Sequence, residues 1–206
     1  MEIRYSQIKT GSVVDGPGVR TVLFLQGCTI GCPGCQNAHL WPADGGHVET
    51  VNEVAKTIAA LSPHGNVTIS GGEPFQQLAS LICLLYALRR EGIKHIIVYS
   101  GYTWEALTGK DRFWTLEALV QIDVLVDGPF IRSQDHNLIN WRGSANQRPI
   151  DVPHTLATGN LVLLDWDAPV ITIGDDGNAI MPIGMADALD DLGMVENTRM
   201  CGQTTK

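Results

Sequence analysis

The sequence predicts an α/β fold built around a parallel sheet. Short runs of β-branched and apolar residues alternate with longer segments in which apolar residues recur at helical spacing, and this alternation is typical of βαβ units. Small or polar residues follow directly after these runs, at the edge of the sheet where functional groups usually collect. With 206 residues, of which 44% are hydrophobic and 17% charged, the chain can bury the core of a single large domain.

The first half of the chain provides the first repeats of this pattern. The run TVLFLQ at 21–26 predicts a buried strand that leads into a cysteine-rich loop. Residues 48–63 predict a helix, because apolar residues recur every three or four positions and a proline closes the segment. NVTIS at 66–70 predicts a second strand, and the apolar segment 76–92 predicts a helix that ends at its glycine.

The second half continues the alternation and then departs from it. HIIVYS at 95–100 and DVLVD at 123–127 predict two more strands, and the segment 104–121 between them predicts one or two helices. After residue 127 the pattern weakens. Residues 160–182 predict short strands joined by turns that could pair antiparallel.

Charge and composition exclude several classes of protein. The 14 basic and 22 acidic residues give a formal charge of −8, which disfavours nonspecific attraction to nucleic acid or to an anionic membrane. The sequence has no apolar run of membrane-spanning length, and its first residues, MEIRYSQIKTGS, lack the layout of a signal peptide. We therefore expect a cytoplasmic protein. Five cysteines, an odd number, argue against a disulfide framework.

Three of the cysteines lie in one Gly- and Pro-rich loop. Cys28, Cys32 and Cys35 follow the spacing C-x3-C-x2-C. Free thiols in a turn are one interpretation, and a zinc site completed by His39 is a second. A third is a [4Fe–4S] cluster held at three irons, with the fourth iron left open for a small molecule. The loop alone does not decide between the two metals, since thiolates suit both.

Further candidate residues follow the ends of the predicted strands. Cys28, Gly71, Ser100 and Asp127 each follow such an end, so a parallel sheet would bring them to the same edge.

The SGGEP segment at 70–74 is one of these strand ends. Its two glycines permit close approach of the backbone to a ligand, and Glu73 could accept a hydrogen bond from a cationic amine. An ordinary strand-to-helix turn is the alternative for this segment. A simple β-turn is likewise the alternative for DGPG at 15–18.

Taken together, these segments resemble the radical S-adenosylmethionine superfamily, in its branch of glycyl-radical-enzyme activases. DGPGVR, GCTIGCPGCQN, SGGEP, YSGYTWEAL, DVLVDGPF and WRGSANQR occur in the order seen in activators of anaerobic ribonucleoside-triphosphate reductase. The resemblance covers about residues 5–152. It implies a partial, open βα barrel with a catalytic domain at 1–152 and a C-terminal extension of short strands, 153–206, packed on that domain.

The resemblance also implies the cofactors. A [4Fe–4S] cluster on Cys28, Cys32 and Cys35 would bind S-adenosylmethionine through its open iron. One electron from the reduced cluster would cleave a sulfonium C–S bond, giving methionine and a 5′-deoxyadenosyl radical. That radical would abstract a hydrogen atom from a backbone glycine of a partner enzyme.

Several residues would contact S-adenosylmethionine by the same resemblance. Those expected to hold the methionine moiety are Ser70, Gly71, Gly72 and Glu73, with Glu73 facing the ammonium group. Those that follow later strands and would contact other polar groups are Ser100, Gly101 and Asp127. Those expected on the adenine side are Gly34 and Asn37. Many superfamily members have an aromatic residue where this chain has Gly34.

The expected partner is the large subunit of the anaerobic ribonucleotide reductase. A low-potential donor such as flavodoxin or ferredoxin would supply the electron. The loop at 140–151 contains Trp141, Arg142 and Arg148, residue types that are enriched at binding hot spots, and we expect it to recognise the partner. A solvated loop with a buried Trp141 is one alternative, and binding of the S-adenosylmethionine carboxylate by Arg142 is another. The alternatives are an activase of a different glycyl-radical enzyme and a non-catalytic zinc-binding module.

Two cysteines lie outside the loop. Cys83 falls within an apolar helical segment, and we expect it to be a core residue. Cys201 lies near the C-terminus, and we expect an idle thiol there.

Overall fold

The structure, a computed structural model, describes residues 1–109, 112–135 and 140–167, and the backbone of 172–173 and 179–180. The chain divides into two compact units, Met1–Asp167 and Ala168–Lys206. In the second unit, two short strands, β8 (Thr172–Ile173) and β9 (Ala179–Ile180), pair antiparallel. The predicted division of the chain at residue 152 stays a prediction.

The first unit contains a seven-stranded sheet with the order β3-β1-β2-β4-β5-β6-β7. Its strands are β1 (Glu2–Ser12), β2 (Arg20–Leu25), β3 (His47–Thr50), β4 (Asn66–Gly71), β5 (His95–Tyr99), β6 (Val124–Asp127) and β7 (Arg148–Asp151). The four central strands β2, β4, β5 and β6 run parallel, as predicted. The α/β class is confirmed, whereas the partial barrel stays a prediction.

Five helices complete the described part of this unit. They are α1 (Val51–Ala60), α2 (Leu78–Arg90), α3 (Trp104–Leu107), α4 (Arg112–Leu119) and α5 (Val152–Thr158). A short 3-10 turn, Pro74–Gln77, precedes α2. The segment predicted as one or two helices therefore forms two. None of the helices in the described part of the chain is long and apolar enough to cross a lipid bilayer.

Three strands were missed by the sequence analysis, and all three pair antiparallel. β1 pairs with both β2 and β3, and β7 pairs with β6. Residues 48–50 were predicted as the start of a helix, but they continue β3. The helix α1 begins one residue later, because the Thr50 side chain accepts a hydrogen bond from the N–H of Glu53 and so caps its first turn.

Both faces of the central strands are covered. Along β5, Ile96 and Val98 pack into the large core shared with α1, α2 and α4, whereas Ile97 faces a smaller cluster with Val126 and Trp166. Successive side chains of a strand point to opposite faces, so strands covered on both faces must be apolar throughout. This explains why the parallel strands were visible in the sequence as continuous apolar runs.

The prediction that Cys83 belongs to the core is wrong, because the residue is exposed. The buried side of α2 consists of Leu81, Leu84, Leu85 and Leu88. At about 100° per residue, Cys83 lies roughly 200° around the helix from Leu81. It therefore points to solvent although its sequence neighbours are apolar. Cys201 lies outside the described residues.

Candidate functional site

The cysteine loop begins where β2 ends, at the carboxyl edge of the parallel strands. Two backbone hydrogen bonds fix its start: the N–H of Gly27 donates to the carbonyl of Leu40 at 2.8 Å, and that of Cys28 to Trp41 at 3.1 Å. Near its end, the N–H of Cys35 donates to the carbonyl of Cys32 at 3.1 Å. The loop is therefore a folded structure that fixes the backbone at all three cysteines.

A glycine in the left-handed region precedes each cysteine of the loop. The φ angles of Gly27, Gly31 and Gly34 are 96°, 66° and 79°. A side chain would be strained in this conformation. The repeated glycine thus turns the chain just before each thiol, which explains why this loop can present three cysteines within eight residues.

The three thiols of the loop are available as ligands for a metal ion or a cluster. Cys28, Cys32 and Cys35 are all unpaired and partly exposed. In the described part of the chain, no three His, Cys, Asp or Glu side chains are grouped to hold one metal ion. A tetrahedral zinc needs all its ligand atoms within about 2.0–2.3 Å of one point, whereas the thiolates of a cluster each bind a different iron. The zinc site with His39 therefore gains no support from this geometry.

The thiol of Cys28 is partly enclosed by the protein. Burial raises the pKa of its thiol, and the backbone N–H groups of Ile30 and Gly31 partly offset this effect. Backbone N–H groups directed at sulfur are also among the features that tune an iron–sulfur cluster.

The SGGEP turn is fused to the cysteine loop. The N–H of Gly72 donates to the carbonyl of Leu25 at 2.7 Å, and that of Glu73 donates to the carbonyl of Gly27 at 2.8 Å. A Cβ atom at Gly72 would lie 2.1 Å from the Gly27 oxygen, a distance that no side chain tolerates. Position 72 must lack a side chain because the backbone of the cysteine loop lies there, and position 71 because the end of β2 does. Close approach of these glycines to a ligand stays a prediction.

Glu73 joins the ends of β4 and β5. Its side chain is buried, with 1% exposed. One carboxylate oxygen, Oε1, accepts hydrogen bonds from the Phe75 N–H at 3.0 Å and the Ser100 hydroxyl at 2.9 Å, and Oε2 accepts from the Gly101 N–H at 2.7 Å. Burial raises the pKa of Glu73 to about 7, although these three donors act in the opposite direction. The predicted residues Glu73, Ser100 and Gly101 thus lie together.

Gln76 is a residue that the sequence analysis missed. Its amide oxygen accepts from the N–H of Thr29 at 3.1 Å. Its amide nitrogen donates to the Thr29 hydroxyl at 2.7 Å and to the Tyr102 hydroxyl at 3.1 Å. Gln76 therefore holds the cysteine loop to the segment after β5. Its position just after SGGEP was the only signal in the sequence.

Asp127 lies at the end of β6 and is fully buried. Its carboxylate accepts from the N–H of Trp104 at 2.6 Å and from two nitrogens of Arg148, Nε at 2.9 Å and Nη2 at 2.5 Å. Arg148 also pairs with Glu105 at 2.8 Å, and these two partners raise its pKa. Asp127 was predicted to contact a ligand, and Arg148 to contact a partner protein. In the structure they contact each other.

The other two residues of the predicted partner loop also make contacts within the chain. The indole N–H of Trp141 donates to the carbonyl of Val13 at 3.0 Å, and its ring packs edge-on against Trp166 with a centroid distance of 5.6 Å. Arg142 forms an ion pair with Asp167, and 10% of its side chain is exposed. These contacts hold the loop against the small apolar cluster on the second face of the sheet.

The two positions predicted for the adenine side, Gly34 and Asn37, differ in exposure. Gly34 is exposed and lies against the side chain of Arg132: a Cβ atom at Gly34 would be 3.0 Å from Cδ of Arg132. Asn37 is half-buried, and its carbonyl accepts from the N–H of Leu40 at 2.9 Å. Ser70, at the end of β4, is also half-buried.

The sequence is similar to those of several known proteins. A family described as a 4Fe-4S single cluster domain matches residues 14–150. An anaerobic ribonucleoside-triphosphate reductase-activating protein of Vibrio cholerae is 36% identical over 152 residues, covering 70% of this chain and 96% of the relative. The protein of that name from Enterobacteria phage T4 is 33% identical over 153 residues, covering 71% and 92%. A pyruvate formate-lyase-activating enzyme of Clostridium pasteurianum is 38% identical over 104 residues, covering 48% and 44%.

The fusion of the two loops predicts the effect of Gly72→Ala. Because the new methyl group would collide with the Gly27 carbonyl, we expect the variant to lose about 1–3 kcal/mol of unfolding free energy, the usual cost of overpacking. We also expect it to hold less iron per chain. Thermal unfolding and iron analysis would measure both effects.

Gly109→Ala is the matched control for Gly72→Ala. Its Cβ would be 3.5 Å from the nearest atom, an ordinary contact, and Gly109 has no left-handed backbone conformation. If the Gly72→Ala protein were as stable as this control and held as much iron, the close contact between the SGGEP turn and the cysteine loop would not be needed for either property.

Proposed function

We propose that this chain, which belongs to the family of anaerobic ribonucleoside-triphosphate reductase-activating proteins, is an iron–sulfur enzyme that installs a glycyl radical on that reductase. The observation that carries this proposal is the fusion of the cysteine loop to the SGGEP turn through Gly27 and Glu73. A loop with three thiols that is joined to a buried carboxylate supports a cluster with a small molecule bound beside it.

The three cysteines are the proposed ligands of the cluster. Thiolates are its usual ligands, and the described part of the loop offers Cys28, Cys32 and Cys35 but no fourth cysteine. A [4Fe–4S] cluster held in this way supplies, when bound, the electron that cleaves S-adenosylmethionine into methionine and a 5′-deoxyadenosyl radical. The 4Fe-4S family match over residues 14–150 supports this assignment over the zinc module.

Glu73 is the proposed acceptor for the ammonium group of S-adenosylmethionine. A carboxylate has about four lone-pair sites, and the chain's own donors use two on Oε1 and one on Oε2. One site on Oε2 is left for the ligand. Ser100 and Gly101 would then serve by orienting Glu73.

The other predicted contacts complete this proposal. Ser70, Gly71 and Gly72 would hold the methionine moiety, while Gly34 and Asn37 would line the adenine side. Asp127 would hold the side chain of Arg148 in place and would not contact the ligand itself, because its carboxylate already accepts three hydrogen bonds from the chain.

The proposed protein substrate is the large subunit of the anaerobic ribonucleotide reductase. The activating proteins named for it align with this chain over more than nine-tenths of their own length, whereas the pyruvate formate-lyase-activating enzyme aligns over 44% of its length. Activation of a different glycyl-radical enzyme is therefore less well supported. A flavodoxin or ferredoxin is the proposed electron donor.

The first test of this function concerns the cluster. Anaerobically reconstituted protein should contain about four irons per chain, and Ala in place of Cys28, Cys32 or Cys35 should abolish binding. Iron and sulfide analysis would measure this. Cys83→Ala, a change of an exposed cysteine outside the loop, and His39→Ala should both retain the cluster. Stoichiometric zinc that is lost in His39→Ala would instead establish the zinc module.

The second test concerns Glu73. Glu73→Gln keeps the shape of the side chain but removes its charge, which a charge-assisted hydrogen bond to an ammonium needs. Since such a bond contributes about 1.5–3 kcal/mol, we expect the affinity for S-adenosylmethionine to fall roughly tenfold to a hundredfold. Calorimetric titration of cluster-loaded protein would measure it.

Glu49→Gln is the control for Glu73→Gln, because Glu49 lies on β3 and accepts a hydrogen bond from Tyr5. Equal affinities in the Glu73 variant and this control would remove Glu73 from the ligand site.

The third test concerns the loop at 140–147. If this loop docks the reductase, Trp141→Ala should leave uncoupled formation of 5′-deoxyadenosine largely intact while glycyl radical formation, measured by electron paramagnetic resonance, falls sharply. Arg148→Ala is a poorer probe, because it would leave buried Asp127 without its cation. Trp114→Ala, a change of a 63% exposed tryptophan on α4, is the control. A parallel fall of both activities in Trp141→Ala would assign the loop to the cofactor site.

A further inference from the structure

The side chain of Arg132 lies directly against the cysteine loop. A Cβ atom built at Gly34 would stand 3.0 Å from Cδ and 3.1 Å from Nη1 of Arg132. The arginine thus fills the space that any side chain before Cys35 would need. The guanidinium is therefore next to the backbone that carries the third cysteine.

The chain holds Arg132 in this position from both sides. Arg132 opens a 3-10 turn, Arg132–Gln134. Just before it, the N–H of Ile131 donates to the hydroxyl of buried Ser144 at 3.0 Å; at its end, the N–H of Ala145 donates to the carbonyl of Gln134 at 2.9 Å. The loop at 140–147 therefore supports the turn that presents the arginine.

Arg132 also differs from the other arginines near it in its charge environment. Arg142 is paired with Asp167, and Arg148 with Asp127 and Glu105. Among the residues that the structure describes, no carboxylate lies within ion-pair distance of Arg132. In a chain with a formal charge of −8, an exposed cation that has no carboxylate partner among the described residues is available to act on its surroundings.

We propose that Arg132 assists the uptake of an electron: its positive charge beside Gly34 and Cys35 raises the reduction potential of the iron–sulfur cluster. The inference rests on the proposed function, since it requires a cluster on the three cysteines. Thiolate ligands make such a cluster anionic, and reduction adds one more negative charge. A nearby cation stabilises the reduced form more than the oxidised one, so a donor can transfer its electron more readily.

Redox titration of reconstituted protein without S-adenosylmethionine tests this proposal, with the reduced cluster followed by electron paramagnetic resonance. In Arg132→Gln, the ratio of reduced to oxidised cluster at a fixed potential should fall about threefold to tenfold, which lowers the midpoint potential by about 30–60 mV. Arg132→Met, a second neutral variant whose apolar stem can still cover Gly34, should show the same fall. Arg132→Lys keeps the charge and should retain most of the wild-type potential.

Arg90→Gln is the matched control, because it removes the same charge from the exposed end of α2, and it should leave the potential unchanged. A wild-type potential in both neutral variants would overturn the proposal. So would an equal shift in Arg132→Lys, since packing of the guanidinium and not its charge would then be responsible. Loss of the cluster from both neutral variants would also overturn it, by assigning the charge to cluster binding. A wild-type protein that binds no cluster would instead refute the proposed function.

Discussion

Two backbone hydrogen bonds, from Gly72 to Leu25 and from Glu73 to Gly27, are the constraint on which the rest of the site depends. They connect the loop after β2 to the turn after β4, and they form only because position 72 lacks a Cβ atom. Glu73 extends this connection to the end of β5 through Ser100 and Gly101. Three neighbouring parallel strands thus end in one hydrogen-bonded unit, so the cysteines and the carboxylate keep a fixed relation to each other.

Burial disfavours the ionised form of Glu73, and a cation bound beside the carboxylate would offset that cost. Its pKa is raised from the usual 4.5 to about 7, first because of burial. The folded chain therefore holds the proton more tightly than the unfolded chain, and it loses stability as the pH rises from the unfolded pKa through the folded one. An ammonium group at Oε2 would stabilise the ionised carboxylate and remove this loss. The same burial that destabilises the ionised carboxylate near neutral pH thereby favours a ligand with a positive charge.

Features marked by a local pattern of residues could be predicted from the sequence, whereas features that depend on contacts between residues distant in sequence could not. The parallel strands were predicted because burial on both faces leaves continuous apolar runs. Since these strands are parallel, the loops that follow β2, β4, β5 and β6 lie at the same edge of the sheet. β1 was missed because only Ile3 and Ser12 of its 11 residues are buried, so no apolar run marks it. β7 lay inside a segment predicted as a loop, and its pairing with β6 includes a proline. Gln76 and Arg132 could not be predicted, because their contacts with the cysteine loop join residues distant in sequence.

The loop at 140–147 shows why residue type alone is an uncertain guide to role. Tryptophan and arginine are enriched at interfaces because they combine large contact area with directional hydrogen bonds, and the same properties suit them to fix a loop in place. Trp141 joins the loop to Val13 and Trp166, and Arg142 joins it to Asp167. The loop in turn supports the turn of Arg132 through Ser144 and Ala145. The loop at 140–147 and the turn that presents Arg132 therefore belong to one hydrogen-bonded segment beside the third cysteine.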